Sequence, residues 1–212
     1  MTIEKHTKTK IKICGLRRRE DILAINEAKP DYCGFIIEFP RSFRSITADK
    51  ARELVTELSP KIRAVGVFVN APMELVRDLL NDGTLALAQL HGQEDESYIR
   101  ELKTYTDKLI IKAFSIKTEE DVKRAIRSEA DYILLDQGAG GTGETFDWSL
   151  VPSIKRPWFL AGGLGCDNLE TAIKMLHPWA VDLSSSVETD GHKDPDKIVK
   201  AVQTVRNIKE DF

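Results

Sequence analysis

KIKICGLRRREDILAINEAKPDYCGFII, residues 10–37, contains one complete unit of the pattern that governs the chain. In KIKIC, Ile11 and Ile13 fall on one side of an extended backbone, and Lys10, Lys12 and Cys14 fall on the other. A glycine and a charged run follow, and REDILAINEA then carries its apolar residues at helical spacing. Lys29-Pro30 is turn chemistry, and DYCGFII is a second apolar run. A strand, a helix and a strand with no hairpin signal between them point to parallel pairing.

The same unit recurs to the end of the chain. TADKARELVTEL opens on Thr47 as a candidate N-cap, and IRAVGVFV precedes PMELVRDLLND, with Pro72 suited to a first helical turn. ALAQL precedes DESYIRELKTY, and KLIIKAF precedes TEEDVKRAIRS, where Thr118 is a second threonine cap. DYILLD leads into the glycine loop GAGGTGETFDW and a short segment near WSLV. WFLAG precedes DNLETAIKML, and WAVDLSS precedes DPDKIVKAVQTVRNIKE. Eight strand-helix units predict an α/β chain folded as a (β/α)8 TIM barrel, with an open doubly wound sheet as the alternative. The expected layout is one barrel domain over residues 1–212, with residues 1–9 as a flexible tail.

Composition narrows the class. The chain has 212 residues, 42% hydrophobic and 31% charged, with a formal net charge of -3. That suits one domain with a substantial core, and the near balance of charge gives no field for nucleic acid or a membrane surface. Arg17-Arg18-Arg19 ends in Glu20-Asp21 and is taken as a solvated helix start. Cys14, Cys33 and Cys166 lie far apart with no CxxC or Cys/His spacing, which fits a reducing cytoplasm and argues against disulfides or structural zinc. The first ten residues lack the apolar segment of a secretory signal, and no apolar run has the length of a membrane span.

A TIM barrel places its active site at the C-terminal ends of the strands. Those ends carry Cys14, the arginines Arg41 and Arg44 in EFPRSFRS, Gln89 and His91 in QLHG, and Asp136. AGGLGCDN and then Asp182 with SSSVE complete the rim. Gly162 and Gly163 just ahead of a helix, and three serine hydroxyls after the eighth strand, suggest a phosphate cradle. Asp136 shares a face with Tyr132 and Leu134, an apolar setting that suits a general acid, although a lone strand-end aspartate is commonly a loop anchor. Cys14 is either buried filler or a thiolate favoured by Lys12 on the same face. Arg44 can clamp a carboxylate in bidentate fashion. His91 is a structural donor or a participant, and Asp182 can hold a substrate hydroxyl or a neighbouring cation. Cys33 is assigned to packing and Cys166 to a loop.

Read in order, these pieces resemble the N-(5'-phosphoribosyl)anthranilate isomerase family of tryptophan biosynthesis. The matching segments are KICG, DYCGF, the proline-containing loop ending in Arg44, GVFVN, QLHG, IKAF, ILLD, GGTG with FDW, AGGL with Asn168, VDLSS with VE, and KDP. They extend from about Lys10 to the last helix. The resemblance implies a barrel of the ribulose-phosphate-binding type. It implies an Amadori rearrangement of phosphoribosylanthranilate to the carboxyphenylamino-deoxyribulose phosphate, by general acid-base catalysis without metal, nucleotide or flavin. It makes Cys14 the base and Asp136 the acid, with Arg44 on the anthranilate carboxylate; His91 and Asp182, from their strand positions, are added as candidate substrate-binding residues. Gly162, Gly163, Ser185 and Ser186 become the phosphate site. The partner is then a small phosphorylated sugar-anthranilate, met by a cytoplasmic monomer or homodimer.

Two departures stand out. The loop before Arg44 looks one residue longer than the family's, which leaves Arg41 as a competing carboxylate ligand. Ser186 takes the place of the glycine in the family's SSGVE, so its backbone must avoid a glycine-only conformation or carry strain. Among rivals, the histidine-pathway sugar isomerase uses an aspartate at the first strand end, where this chain has Cys14. A pentose-phosphate epimerase wants metal-binding His and Asp at several strand ends, and indoleglycerol phosphate synthase a longer N-terminal extension. A sugar-phosphate binder without catalysis needs neither Cys14 nor Asp136.

Overall fold

The computed structural model describes residues 8–137 and 145–209, so the predicted tail as far as residue 7 and the GGTG segment lie outside the described residues. The chain runs β1 (Lys10–Cys14), α1 (Arg19–Ala28), β2 (Tyr32–Ile37), α2 (Ala48–Thr56), β3 (Arg63–Phe68), α3 (Met73–Asn81), β4 (Leu87–Leu90) and α4 (Glu96–Tyr105). It continues through β5 (Leu109–Ser115), α5 (Glu119–Ile126), β6 (Tyr132–Asp136), β7 (Trp158–Leu160), α6 (Leu169–Leu176), β8 (Ala180–Leu183) and α7 (Pro195–Asn207). Each of the eight strands pairs in parallel with the next, and β8 pairs back onto β1, so the sheet closes as a barrel. Closure removes the open-sheet alternative.

The sixth unit departs from the expected pattern. Between β6 and β7 the described residues contain one 3-10 turn, Trp148–Leu150, rather than an α-helix. Three consecutive residues, Trp148, Ser149 and Leu150, offer too short an apolar stripe for an amphipathic helix. Residue 9, the last of the expected tail, is held in place. Thr9 is buried and its hydroxyl donates to Pro178 O at 3.0 Å, which anchors the chain just before β1.

Local chemistry sets the helix starts. The Thr47 and Asp95 side chains accept from Lys50 N and Tyr98 N, and Thr118 with Asp121 forms a reciprocal capping box. Pro72 stands at the cap position, one residue before α3. Asp21, in the first turn of α1, accepts from the backbone of Arg17 and Arg18 at 2.9 and 3.0 Å, so the arginine run is indeed a helix entrance.

The apolar residues form two shells. Outward-facing Ile11, Ile13, Phe35, Phe68, Leu135 and Val181 pack under the helices. Inside the barrel, Tyr32, Val65, Leu87, Ile111, Leu134 and Phe159 fill the lumen. Tyr32 and Tyr132 both meet Phe159 edge-on, with ring centroids 5.5 and 5.6 Å apart, and Lys10 Nζ lies 4.2 Å above the Trp179 ring. The lower lumen is therefore filled by aromatic and aliphatic packing.

Candidate active site

Lys12 and Asp182 form the floor of the site. They are register partners on β1 and β8, and Lys12 Nζ, itself fully buried, donates to Asp182 Oδ2 at 2.6 Å. Burial opposes the lysine's charge, but the Asp182 carboxylate and the Cys14 sulfur outweigh it and hold Lys12 protonated above its ordinary range. Asp182 thus holds a neighbouring cation, one of its two anticipated roles. Its other oxygen, Oδ1, is buried with no hydrogen-bond partner among the described residues.

Cys14 ends β1 beside this pair, with a relative exposure of 8%. Its register partner is Gly34, and a Cβ at Gly34 would come within 2.7 Å of Cys14 Sγ and 3.1 Å of Lys12 Nζ. The glycine of DYCGF is therefore the space that the thiol and the ammonium occupy. Lys12 favours the thiolate as expected, but it does not decide the thiol's pKa. Burial pushes the Cys14 pKa up, the Asp182 carboxylate adds to that rise, and Lys12 and Lys193 offset only part of it. Cys33 is fully buried between strands and Cys166 is partly buried against the core, in keeping with packing and loop roles.

Asp136 ends β6 with an exposure of 7%. Its Oδ1 accepts from Gln137 N at 2.7 Å, and its Oδ2 lies 3.5 Å from His91 Nε2. On the far side of that imidazole, Nδ1 meets Gln89 Nε2 at 2.9 Å. Gly162 has a left-handed backbone, and a Cβ there would come within 2.7 Å of Asp136 Oδ1. The first glycine of AGGL thus gives the carboxylate its room as well as making the turn. The His91 loop is braced from below: Lys112 Nζ donates to Gly92 O at 2.8 Å and Glu94 Oε2 at 3.2 Å, while Glu94 accepts from Asn70 N and Gly92 N.

Arg44 reaches the rim, whereas Arg41 is exposed. The Arg44 guanidinium forms a two-bond fork with Glu188, from Nε to Oε1 and from Nη2 to Oε2, each 2.7 Å. The bidentate geometry anticipated for a ligand is thus realised on the chain's own carboxylate. Nη1 makes no hydrogen bond among the described residues, which leaves the end-on Nη1/Nη2 edge with donor capacity for a second acceptor. Glu188 also accepts from Lys193 Nζ at 2.6 Å, and Lys193 donates to Ser184 O at 2.9 Å. Burial works against the Glu188 charge, but hydrogen bonds from Arg44 and Lys193 win and hold its pKa down at about 2. Burial lowers that of Lys193, with Glu188 opposing.

The two loops of the anticipated phosphate cradle meet. A Cβ on Gly165 would lie 3.5 Å from Ser186 Cβ. Gly163 has φ +62°, and Asn168 fixes the loop by donating from Nδ2 to Gly163 O and accepting at Oδ1 from Gly165 N, both 2.9 Å. Ser185 and Ser186 sit in a 3-10 turn, Ser185–Val187. Ser186 is not among the residues with positive φ, so the serine stands there without glycine-type strain. Ser184 donates to Cys14 O at 3.1 Å, tying this loop to the end of β1.

Sequence reasoning did not single out Gly34, Glu188 or Lys193. Glu188 and Lys193 do lie within the VE and KDP segments, but nothing in their immediate context signals that two charged side chains turn inward together. Among the described residues, no three His, Cys, Asp or Glu side chains cluster as a metal site requires. No helix there is long and apolar enough to cross a membrane.

The geometry can be set beside known proteins. The sequence profile of the N-(5'phosphoribosyl)anthranilate (PRA) isomerase family matches residues 11–204. The N-(5'-phosphoribosyl)anthranilate isomerase of Endomicrobium trichonymphae is 44% identical over 203 residues, covering 94% of this chain and 99% of the relative. The same enzyme from Thermoanaerobacter pseudethanolicus is 41% identical over 206 residues, with 94% and 99% covered. The crystal structure of phosphoribosyl anthranilate isomerase from Thermotoga maritima superposes with a TM-score of 0.84 at 37% identity, covering 93% of this chain and 98% of that one. A solved phosphoribosyl anthranilate isomerase in complex with reduced 1-(o-carboxyphenylamino)-1-deoxyribulose 5-phosphate superposes at 0.82 and 36% identity, with 93% and 98% covered. A shared profile over nearly the whole barrel, relatives above 40% identity and a common fold have one consequence: the chain belongs to the N-(5'-phosphoribosyl)anthranilate isomerase family, isomerases of tryptophan biosynthesis.

Proposed function

We propose that the chain converts N-(5-phosphoribosyl)anthranilate to 1-(2-carboxyphenylamino)-1-deoxyribulose 5-phosphate by general acid-base catalysis, with Asp136 as acid and Cys14 as base. The supporting observation is that two shielded proton carriers end strands β1 and β6 on the rim where the β7 and β8 loops meet. Asp136 gives its proton to the furanose ring oxygen as the ring opens, and the anthranilate nitrogen supplies the electron pair that forms an iminium at C1'. Cys14, as thiolate, takes the proton from C2', and the electrons left behind form an enolamine. Its tautomerisation places a proton on C1' and leaves a ketone at C2'. Backbone and hydroxyl groups around Gly162, Gly163, Ser185 and Ser186 hold the phosphate, and the end-on edge of Arg44 holds the anthranilate carboxylate. Anchoring both ends keeps the reacting carbons between acid and base. With three unpaired cysteines, the reaction belongs in a reducing cytoplasm.

Phosphoribosylanthranilate is fluorescent, and loss of its signal follows turnover directly. Cys14→Ala and Asp136→Ala should each reduce kcat by about a thousandfold with the fold intact. Near-normal turnover in either variant removes that residue's role. Arg44→Ala should act chiefly on KM, and an unchanged KM would transfer the carboxylate to Arg41. Because burial raises the thiol's pKa, kcat/KM should climb with pH through a midpoint above that of an ordinary cysteine.

A further inference from the structure

Gln89 is 1% exposed, and its register neighbours on β3 and β5 are Val67 and Ile111. Neither offers it a polar side chain. Its Nε2 lies 2.9 Å from His91 Nδ1, and its Oε1 is buried with no hydrogen-bond partner among the described residues. A buried amide with half its capacity unused is costly unless the remaining bond matters. That bond reaches the imidazole whose other nitrogen faces Asp136 Oδ2 at 3.5 Å.

We propose that Gln89 is a positioning residue, which fixes His91 as the Nε2–H tautomer and so aims an N–H at the carboxyl of Asp136; this rests on Asp136 being the general acid. A neutral imidazole carries one ring proton, and a nitrogen that accepts a hydrogen bond cannot also hold it. With Gln89 donating to Nδ1, the proton sits on Nε2. The reverse arrangement, Nδ1–H donating to Oε1, turns the Nε2 lone pair toward the oxygen on which negative charge develops as Asp136 gives up its proton, and so opposes that step. As Asp136 gives up its proton, negative charge grows on an oxygen that already faces a fixed donor. This 3.5 Å contact is therefore stronger in the transition state than in the resting enzyme, which is the condition for it to raise kcat.

The test is nitrogen-proton correlation NMR of the His91 ring in the full chain, assigned by its absence in His91→Asn, alongside steady-state kinetics. Wild type should show a single Nε2–H tautomer. Gln89→Leu should lose that uniqueness, and near-isosteric Gln89→Glu, which accepts at the same place, should move the proton to Nδ1 or add a second. Both should reduce kcat about tenfold or more while KM changes little. Should the leucine variant fail to melt cooperatively, the glutamate variant alone decides. An Nδ1–H wild type, an unmoved tautomer in the variants, or a moved tautomer with unchanged kcat each overturns the proposal. The two assignments separate cleanly: an active Asp136→Asn overturns Asp136 as the acid whatever the NMR shows. An inactive Asp136→Asn with an unmoved tautomer removes Gln89 alone.

Discussion

Lys12, Gly34 and Glu188 show how much of the site depends on single side chains whose work is indirect. Lys12→Met would leave the Asp182 carboxylate buried without its cation, at a cost of about 3–5 kcal/mol in stability. The double change Lys12→Met with Asp182→Leu should recover most of that loss, and urea unfolding of wild type, both single variants and the double variant measures the coupling. Gly34→Ala drives a methyl into the Cys14 sulfur, so activity should fall by more than the roughly 1–3 kcal/mol of overpacking alone would cause. Parallel melting and turnover curves separate the two effects. For Glu188 the folded pKa, about 2, lies below the unfolded value of a glutamate. Its contribution is therefore complete above about pH 4.5 and fades as pH falls toward 2. Stability of wild type minus that of Glu188→Gln should shrink over that acid window, and a difference independent of pH would dismiss the fork as a source of stability. Cys14, Asp136 and Asp182 were legible because an alternating strand displays its ends. Gly34 was not, since a missing side chain gains its meaning only from what the neighbouring strand pushes into the gap.

The elements divide into a scaffold written in periodic patterns and connections that are not. Seven helices and eight strands follow from alternation, helical spacing and threonine or aspartate caps. The hairpin after β8 does not: Glu188–Thr189 pairs with His192–Lys193 across a turn with Asp190 and Gly191 at positive φ, and two-residue strands leave almost no periodic signal. That hairpin nevertheless delivers both Glu188 and Lys193 to the rim and leads into α7. Asp194 caps α7 by accepting from Asp196 N and Lys197 N, and it also receives the Thr189 hydroxyl. Asp194→Ala should cost about 1 kcal/mol through the cap. It should also loosen the hairpin enough to raise KM, whereas the comparable cap change Thr47→Ala on α2 should leave KM unaltered. Chemical denaturation and kinetics on both variants make that comparison.

At the scale of the whole molecule, the closed sheet is what converts a list of strand ends into a site. No polar residue makes a site within its own segment, and the register of the barrel brings Lys12 level with Asp182 and Cys14 level with Gly34. Closure also has a consequence in time. β1 is the first strand synthesised, yet one of its two partners is β8, some 170 residues later. Until the end of the chain arrives, the growing sheet keeps two raw edges, and Lys12 waits without its counter-ion. The floor of the candidate site is thus completed only when the last strand arrives, and long-range closure of this kind is slow and exposed to aggregation. A chain stopped before Ala180 should collapse with native-like helix content and still fail to protect the β1 amides from hydrogen exchange. Adding the missing C-terminal segment in trans should restore protection and turnover together, so that in this fold the step that seals the barrel is also the step that switches the chemistry on.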